Sequence, residues 1–133
     1  MAKITVVLAD DNAAVLGDLR QELEDEFRIV GTAANGEEAI RQVLRLDPDV
    51  LVLDITMPSL TGLEVASCLW GKHSRTKILF LTIHEEPEYI SAGFSAGALG
   101  YVTKRRLYSD LSLAIREVFE GRKFLSPLLK DNL

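Results

Sequence analysis

Cysteine occurs once, at Cys68, so no disulfide can close within the chain, and Cys and His never recur at the spacing of a metal site. Long apolar runs are missing too. Residues 4–9, 50–53 and 78–81 fall far below the ~18 residues needed to cross a bilayer. A single early lysine, Lys3, and the abrupt stop at Asp10-Asp11 do not make a secretory leader. These absences predict a cytoplasmic protein with no membrane partner. Positive charge is also in deficit: 15 Lys and Arg against 20 Asp and Glu leave a net charge of −5, which repels a nucleic-acid backbone. The basic residues near the end, Arg116, Arg122, Lys123 and Lys130, are too dispersed for a recognition helix. What is present is 133 residues, 47% hydrophobic and 26% charged, which suits one globular domain at roughly 100 to 200 residues per domain.

Two periods alternate along the chain. Residues 4–9 are a β-branched apolar run of the kind buried on both faces of a sheet, and Val15, Leu19, Leu23 and Phe27 then recur every four residues as on an amphipathic helix. Residues 29–33 return to strand character. Asn35-Gly36-Glu37-Glu38 offers a helix cap ahead of Ala39, Ile40, Val43, Leu44 and Leu46, with an end expected near Asp47-Pro48. Residues 50–53 form the most apolar strand candidate, and Thr61-Gly62-Leu63-Glu64 repeats the capping pattern before Val65, Ala66, Leu69 and Trp70. Residues 78–81 are the fourth strand, and Pro87 opens a short helix through Tyr89, Ile90 and Phe94. Tyr101 and Val102 make a fifth strand, and Leu111, Ala114, Ile115, Val118 and Phe119 the last helix, with Ser109 as its expected cap. Five strands alternating with five helices predict an α/β fold whose parallel sheet is covered on both faces. Ligands then bind at the carboxyl ends of the strands.

Those ends are chemically apt. Asp10 and Asp11 follow the first strand, Asp54 the third, Thr82 the fourth and Lys104 the fifth. Singly, each has an ordinary explanation: turn former, helix cap, β-propensity residue or solvated surface charge. Together, three carboxylates in one pocket repel one another unless a cation sits among them, and hard divalent Mg2+ is the natural choice. A lysine and a hydroxyl across the same pocket are what a transferred phosphoryl group needs, because its charge spreads over three peripheral oxygens.

Over residues 3–120 the sequence resembles the receiver domain of two-component response regulators. The resemblance rests on Val7-Leu8-Ala9-Asp10-Asp11, Leu53-Asp54-Ile55-Thr56-Met57-Pro58 with Gly62, Leu81-Thr82, Gly97-Ala98 and Gly100-Tyr101-Val102-Thr103-Lys104, in that order. It implies a doubly wound, flavodoxin-like (βα)5 fold with strand order 2-1-3-4-5. It implies that Asp54 accepts a phosphoryl group from a sensor histidine kinase. Mg2+ or Mn2+ would be held by Asp10, Asp11, Asp54 and the main-chain carbonyl of Thr56. Lys104 and Thr82 would contact the phosphoryl oxygens, and Tyr101 would be the switch aromatic that moves inward as Thr82 is drawn to the phosphoryl group. Such a domain modifies itself rather than turning over a substrate, so it is not classed as an enzyme, although intrinsic autodephosphorylation is expected. His84 borders the pocket, where it could affect how water reaches the acyl phosphate.

Departures from the pattern refine this expectation. Arg105 follows Lys104 where many members have proline, so no cis peptide is expected there. Leu99-Gly100 replaces an acidic pair used in one dimer mode, so a phosphorylation-dependent homodimer is expected to use helices one and five. Residues 121–133 look like the linker of the NarL/FixJ subfamily, after a receiver spanning residues 1–120. That predicts transcriptional control through a helix-turn-helix output domain absent from these residues, with DNA reached only through it. The alternatives are a natural single-domain regulator and a pseudo-receiver acting as a protein-interaction module. A haloacid dehalogenase-type phosphatase is disfavoured by Thr56, which stands where its second carboxylate would be, and a flavodoxin-like carrier by the anionic Asp10-Asp11-Asn12.

Overall fold

Val6, Val7 and Leu8 of β1 (Thr5–Ala9) and all four residues of β3 (Val50–Leu53) are buried, so these strands need neighbours on both sides and helices on both faces. In the computed structural model, which describes residues 2–132, they form the centre of a parallel sheet. Around them lie β2 (Arg28–Ala33), β4 (Lys77–Thr82), β5 (Gly100–Thr103) and β6 (Phe124–Leu125), in the order β2-β1-β3-β4-β5-β6. Alternate residues of the strands feed two cores. Val7, Leu51, Leu53, Phe80 and Tyr101 face α2 (Gly36–Leu46), α3 (Gly62–Gly71) and α4 (Pro87–Ser95). Val6, Leu8, Val52, Leu79, Leu81 and Val102 face α1 (Ala13–Leu23) and α5 (Leu107–Phe119).

Side chains cap α2 and α3 where the sequence places them, and Asn12, not singled out as a cap from sequence, starts α1. The Asn12 side chain accepts from the amides of Ala14 and Val15, and Asn35 accepts from Glu38 N–H. Thr61 and Glu64 form a reciprocal capping box at α3, and Pro87 occupies the first turn of α4. The start of α5 differs from expectation. A 3₁₀ turn, Lys104–Arg106, runs directly into Leu107, so Ser109 lies inside the helix rather than at its cap. Trp70 also differs: it is 72% exposed, and its position in the last turn of α3 lays the ring against Gly97 instead of in the core.

The sheet has a sixth strand beyond the five expected. Phe124 N–H donates to the Leu99 carbonyl at 2.9 Å and Ser126 N–H to the Tyr101 carbonyl at 3.0 Å, which adds β6 to the outer edge of β5. A 3₁₀ helix, Pro127–Asn132, follows, and Ser126 and Leu129 are wholly buried. This segment therefore packs on the strand that carries Tyr101.

Candidate phosphoacceptor site

Adjacency of β1 and β3 brings the residues that follow them together: Ala9 pairs with Leu53, and Asp54 N–H donates to the Ala9 carbonyl at 3.1 Å. Asp10 and Asp54 are almost entirely buried, whereas Asp11 is exposed. One carboxylate oxygen from each of Asp10, Asp11 and Asp54 lies within 4.8 Å of the others. Backbone amides orient the two buried groups: Asn12 N–H donates to Asp10 Oδ1 at 2.9 Å and Ile55 N–H to Asp54 Oδ1 at 2.7 Å. Lys104 balances the charge. Its Nζ stands 2.8 Å from Asp10 Oδ2 and 2.9 Å from Asp54 Oδ2. Partial burial pulls the ammonium's pKa down, but the hydrogen bonds and charges of Asp10 and Asp54 outweigh it and the net shift is upward. A donor set made of carboxylate oxygens fits a hard divalent cation such as Mg2+ or Mn2+.

The loop after Asp54 is shaped by a close approach. Gly62 N–H donates to the Ile55 carbonyl at 2.7 Å, and a Cβ on Gly62 would stand 2.1 Å from the Asp54 carbonyl oxygen, so no side chain fits there. In the same loop, Thr56 Oγ1 lies 2.8 Å from His84 Nε2, which ties the β3–α3 loop to the β4–α4 loop. The His84 ring stacks on Tyr89, with centroids 4.1 Å apart and planes 13° from parallel.

Thr82 ends β4 fully buried, and its Oγ1 accepts from His84 N–H at 3.3 Å. Tyr101 is buried on β5 between Phe80 and Phe94, and its hydroxyl donates to the His84 carbonyl at 2.7 Å. Burial first, and then the nearby carboxylates led by Glu86 and Asp54, push the Tyr101 phenol's pKa up. Tyr101 thus points inward, with its hydroxyl held by the loop after β4. The structure brings Asp10, Asp11, Asp54 and Lys104 into one cluster, and places Thr82 and Tyr101 one and two strands away, joined through His84.

Glu85 carries no signal in the local sequence, and Arg105 stands out there only as a replacement for proline. In the structure Arg105 Nε and one terminal nitrogen reach the two oxygens of Glu85 at 2.6 and 2.7 Å, and the Thr103 hydroxyl donates to the same carboxylate. The signal for this pair is the β4–β5 register, Thr82 opposite Thr103, which local sequence does not reveal. No peptide bond among the described residues is cis, including the one before Arg105.

A parallel sheet of this order with an acidic cluster and a lysine at its carboxyl edge defines the class, and the response regulator receiver domain family matches residues 6–116. The chain belongs to that family. It is 39% identical over 98% of its length to the uncharacterized transcriptional regulatory protein YvfU of Bacillus subtilis, of which it spans 66%. A LuxR-family two-component response regulator from Aurantimonas sp. SI85-9A1 superposes with a TM-score of 0.93 at 30% identity, covering 98% of this chain and 95% of that one. The isolated receiver domain of RcsB from Salmonella enterica serovar Typhimurium, solved with the phosphomimetic BeF3-, superposes with a TM-score of 0.89 at 26% identity, covering 98% and 99%. Among the described residues no helix is long and apolar enough to cross a membrane.

Proposed function

We propose that Asp54 is the phosphoacceptor of a cytoplasmic signalling switch, charged by a sensor histidine kinase and controlling transcription through a separate output domain, a reading supported by the relative named as a transcriptional regulatory protein. The observation that carries this reading is the Lys104 ammonium held between Asp10 and Asp54 at 2.8 and 2.9 Å. An Asp54 carboxylate oxygen attacks phosphorus, the phosphorus–nitrogen bond of the phosphohistidine breaks, and the electron pair leaves on the imidazole. The product is an acyl phosphate, which water later hydrolyses. Asp10, Asp11, Asp54 and the main-chain carbonyl of Thr56 would hold Mg2+ or Mn2+, which when bound neutralises the pocket and the phosphoryl oxygens. Lys104 pairs with one phosphoryl oxygen, and Thr82 donates its hydroxyl to another.

Output follows from the links between Thr82, His84 and Tyr101. Drawing Thr82 toward a phosphoryl group shifts the His84 amide it accepts from, and the His84 carbonyl is the acceptor of the Tyr101 hydroxyl. Residues 121–133 serve as the linker, which first pairs along the β5 edge that carries Tyr101. Helices α1 and α5 provide the face for a phosphorylation-dependent homodimer. The test is intact mass after incubation with acetyl phosphate and Mg2+. One added phosphoryl group is expected, absent in Asp54→Asn and in EDTA; labelling that survives either change overturns the assignment.

A further inference from the structure

Glu85 and Arg105 have no place in the phosphoryl chemistry above, yet each sits directly beside a residue that does. Glu85 follows His84 in the β4–α4 loop, and Arg105 follows Lys104 in the turn after β5. Their fork of 2.6 and 2.7 Å contacts spans the two loops, and the Thr103 hydroxyl gives the carboxylate a third donor. The Glu85 pKa is held down at about 2, chiefly by Arg105 and then by Thr103, so the pair is ionised at neutral pH. A planar guanidinium meeting a carboxylate through two parallel bonds fixes orientation as well as distance, which a lysine ammonium does not reproduce.

We propose that the Glu85–Arg105 pair is a clamp that locks the β4–α4 loop over the inward Tyr101 and so positions His84 and Lys104 for the phosphorylated state. The clamp rests on the phosphoacceptor reading of Asp54. Its effect is indirect: Glu85 holds the segment whose carbonyl receives the Tyr101 hydroxyl, while Arg105 holds the backbone from which Lys104 extends to Asp10 and Asp54. Both are positioning residues. Arg105 is exposed at 60%, so solvent limits the strength of the pair, and its loss should cost about two- to fivefold in the population of the locked loop.

A double-mutant cycle tests this, using Glu85→Gln, Arg105→Gln and the double variant. The readouts are amide hydrogen exchange at residues 83–86 and the dissociation constant for beryllofluoride in the presence of Mg2+. Each single variant should lose protection in the loop and bind beryllofluoride about two- to fivefold more weakly. The double variant should be no worse than either single one, and Arg105→Lys should fail to restore the wild-type constant. Wild-type binding with unchanged variants, or additive losses, overturns the clamp alone. A wild-type chain that binds no beryllofluoride overturns the phosphoacceptor reading together with the clamp's part in it.

Discussion

Asp10 and Asp54 set two nearly solvent-free carboxylates side by side, and their compatibility with folding depends on the ammonium that Lys104 inserts between them. Removing that ammonium leaves both acids repelling each other with little water to help. Lys104→Ala is therefore expected to destabilise the fold by about 1 to 3 kcal/mol in EDTA, a figure lowered by the partial exposure of the lysine. Saturating Mg2+ should recover part of that loss, as seen in urea midpoints with and without the ion. Equal destabilisation in both conditions would contradict the charge-balance account. Glu85 gives a second prediction. Its folded pKa of about 2 lies below the ordinary 4.5, so its contribution to stability is complete above 4.5 and is lost as pH falls through about 2. Carbon-13 titration of the Glu85 carboxyl should show that low midpoint, moving toward 4.5 in Arg105→Gln. An unmoved midpoint would mean that Arg105 is not its cause. Asp10, Asp11, Asp54, Thr82 and Lys104 could be singled out from sequence because each follows or ends a run with strand character. Glu85 and Arg105 could not, because their meeting depends on how β4 and β5 are registered and how two loops fold over that edge.

At the scale of elements, the helices announce their own starts through side chains that satisfy free amides, as at Asn12, Asn35 and Thr61. Where no such residue acts, sequence misleads: α5 begins from a 3₁₀ turn, and Ser109 looks like a cap without serving as one. The two-residue β6 carries no readable period, and its pairing with β5 rests on backbone bonds that any sequence can make. Its hold depends on Leu129, wholly buried just beyond it. Leu129→Ala should cost about 2 to 5 kcal/mol of global stability, and it should speed amide exchange at Phe124 and Ser126 more than at β1. Loss of stability without faster exchange at those amides would mean that the segment is not held to β5 by this residue.

For the whole molecule, the alternation of strands and helices specifies a parallel sheet covered on both faces but not which strand lies next to which. The order β2-β1-β3-β4 places β1 and β3 side by side, and that adjacency alone brings Asp10 against Asp54. Charge acts at this scale too. At −5 before any phosphoryl group is added, these 133 residues should show no sequence-specific DNA binding in a mobility-shift titration at physiological salt. Specific, salt-sensitive binding would contradict an output that lies in another domain. The central claim, that the fold exists to carry a phosphoryl group on Asp54, is tested most directly by trapping the acyl phosphate. Borohydride reduces an aspartyl phosphate to homoserine and leaves an unmodified aspartate intact. After reaction with acetyl phosphate and Mg2+, peptide mass spectrometry should find homoserine at position 54. Homoserine at another position, or none while the intact protein carries the added phosphoryl mass, would contradict it.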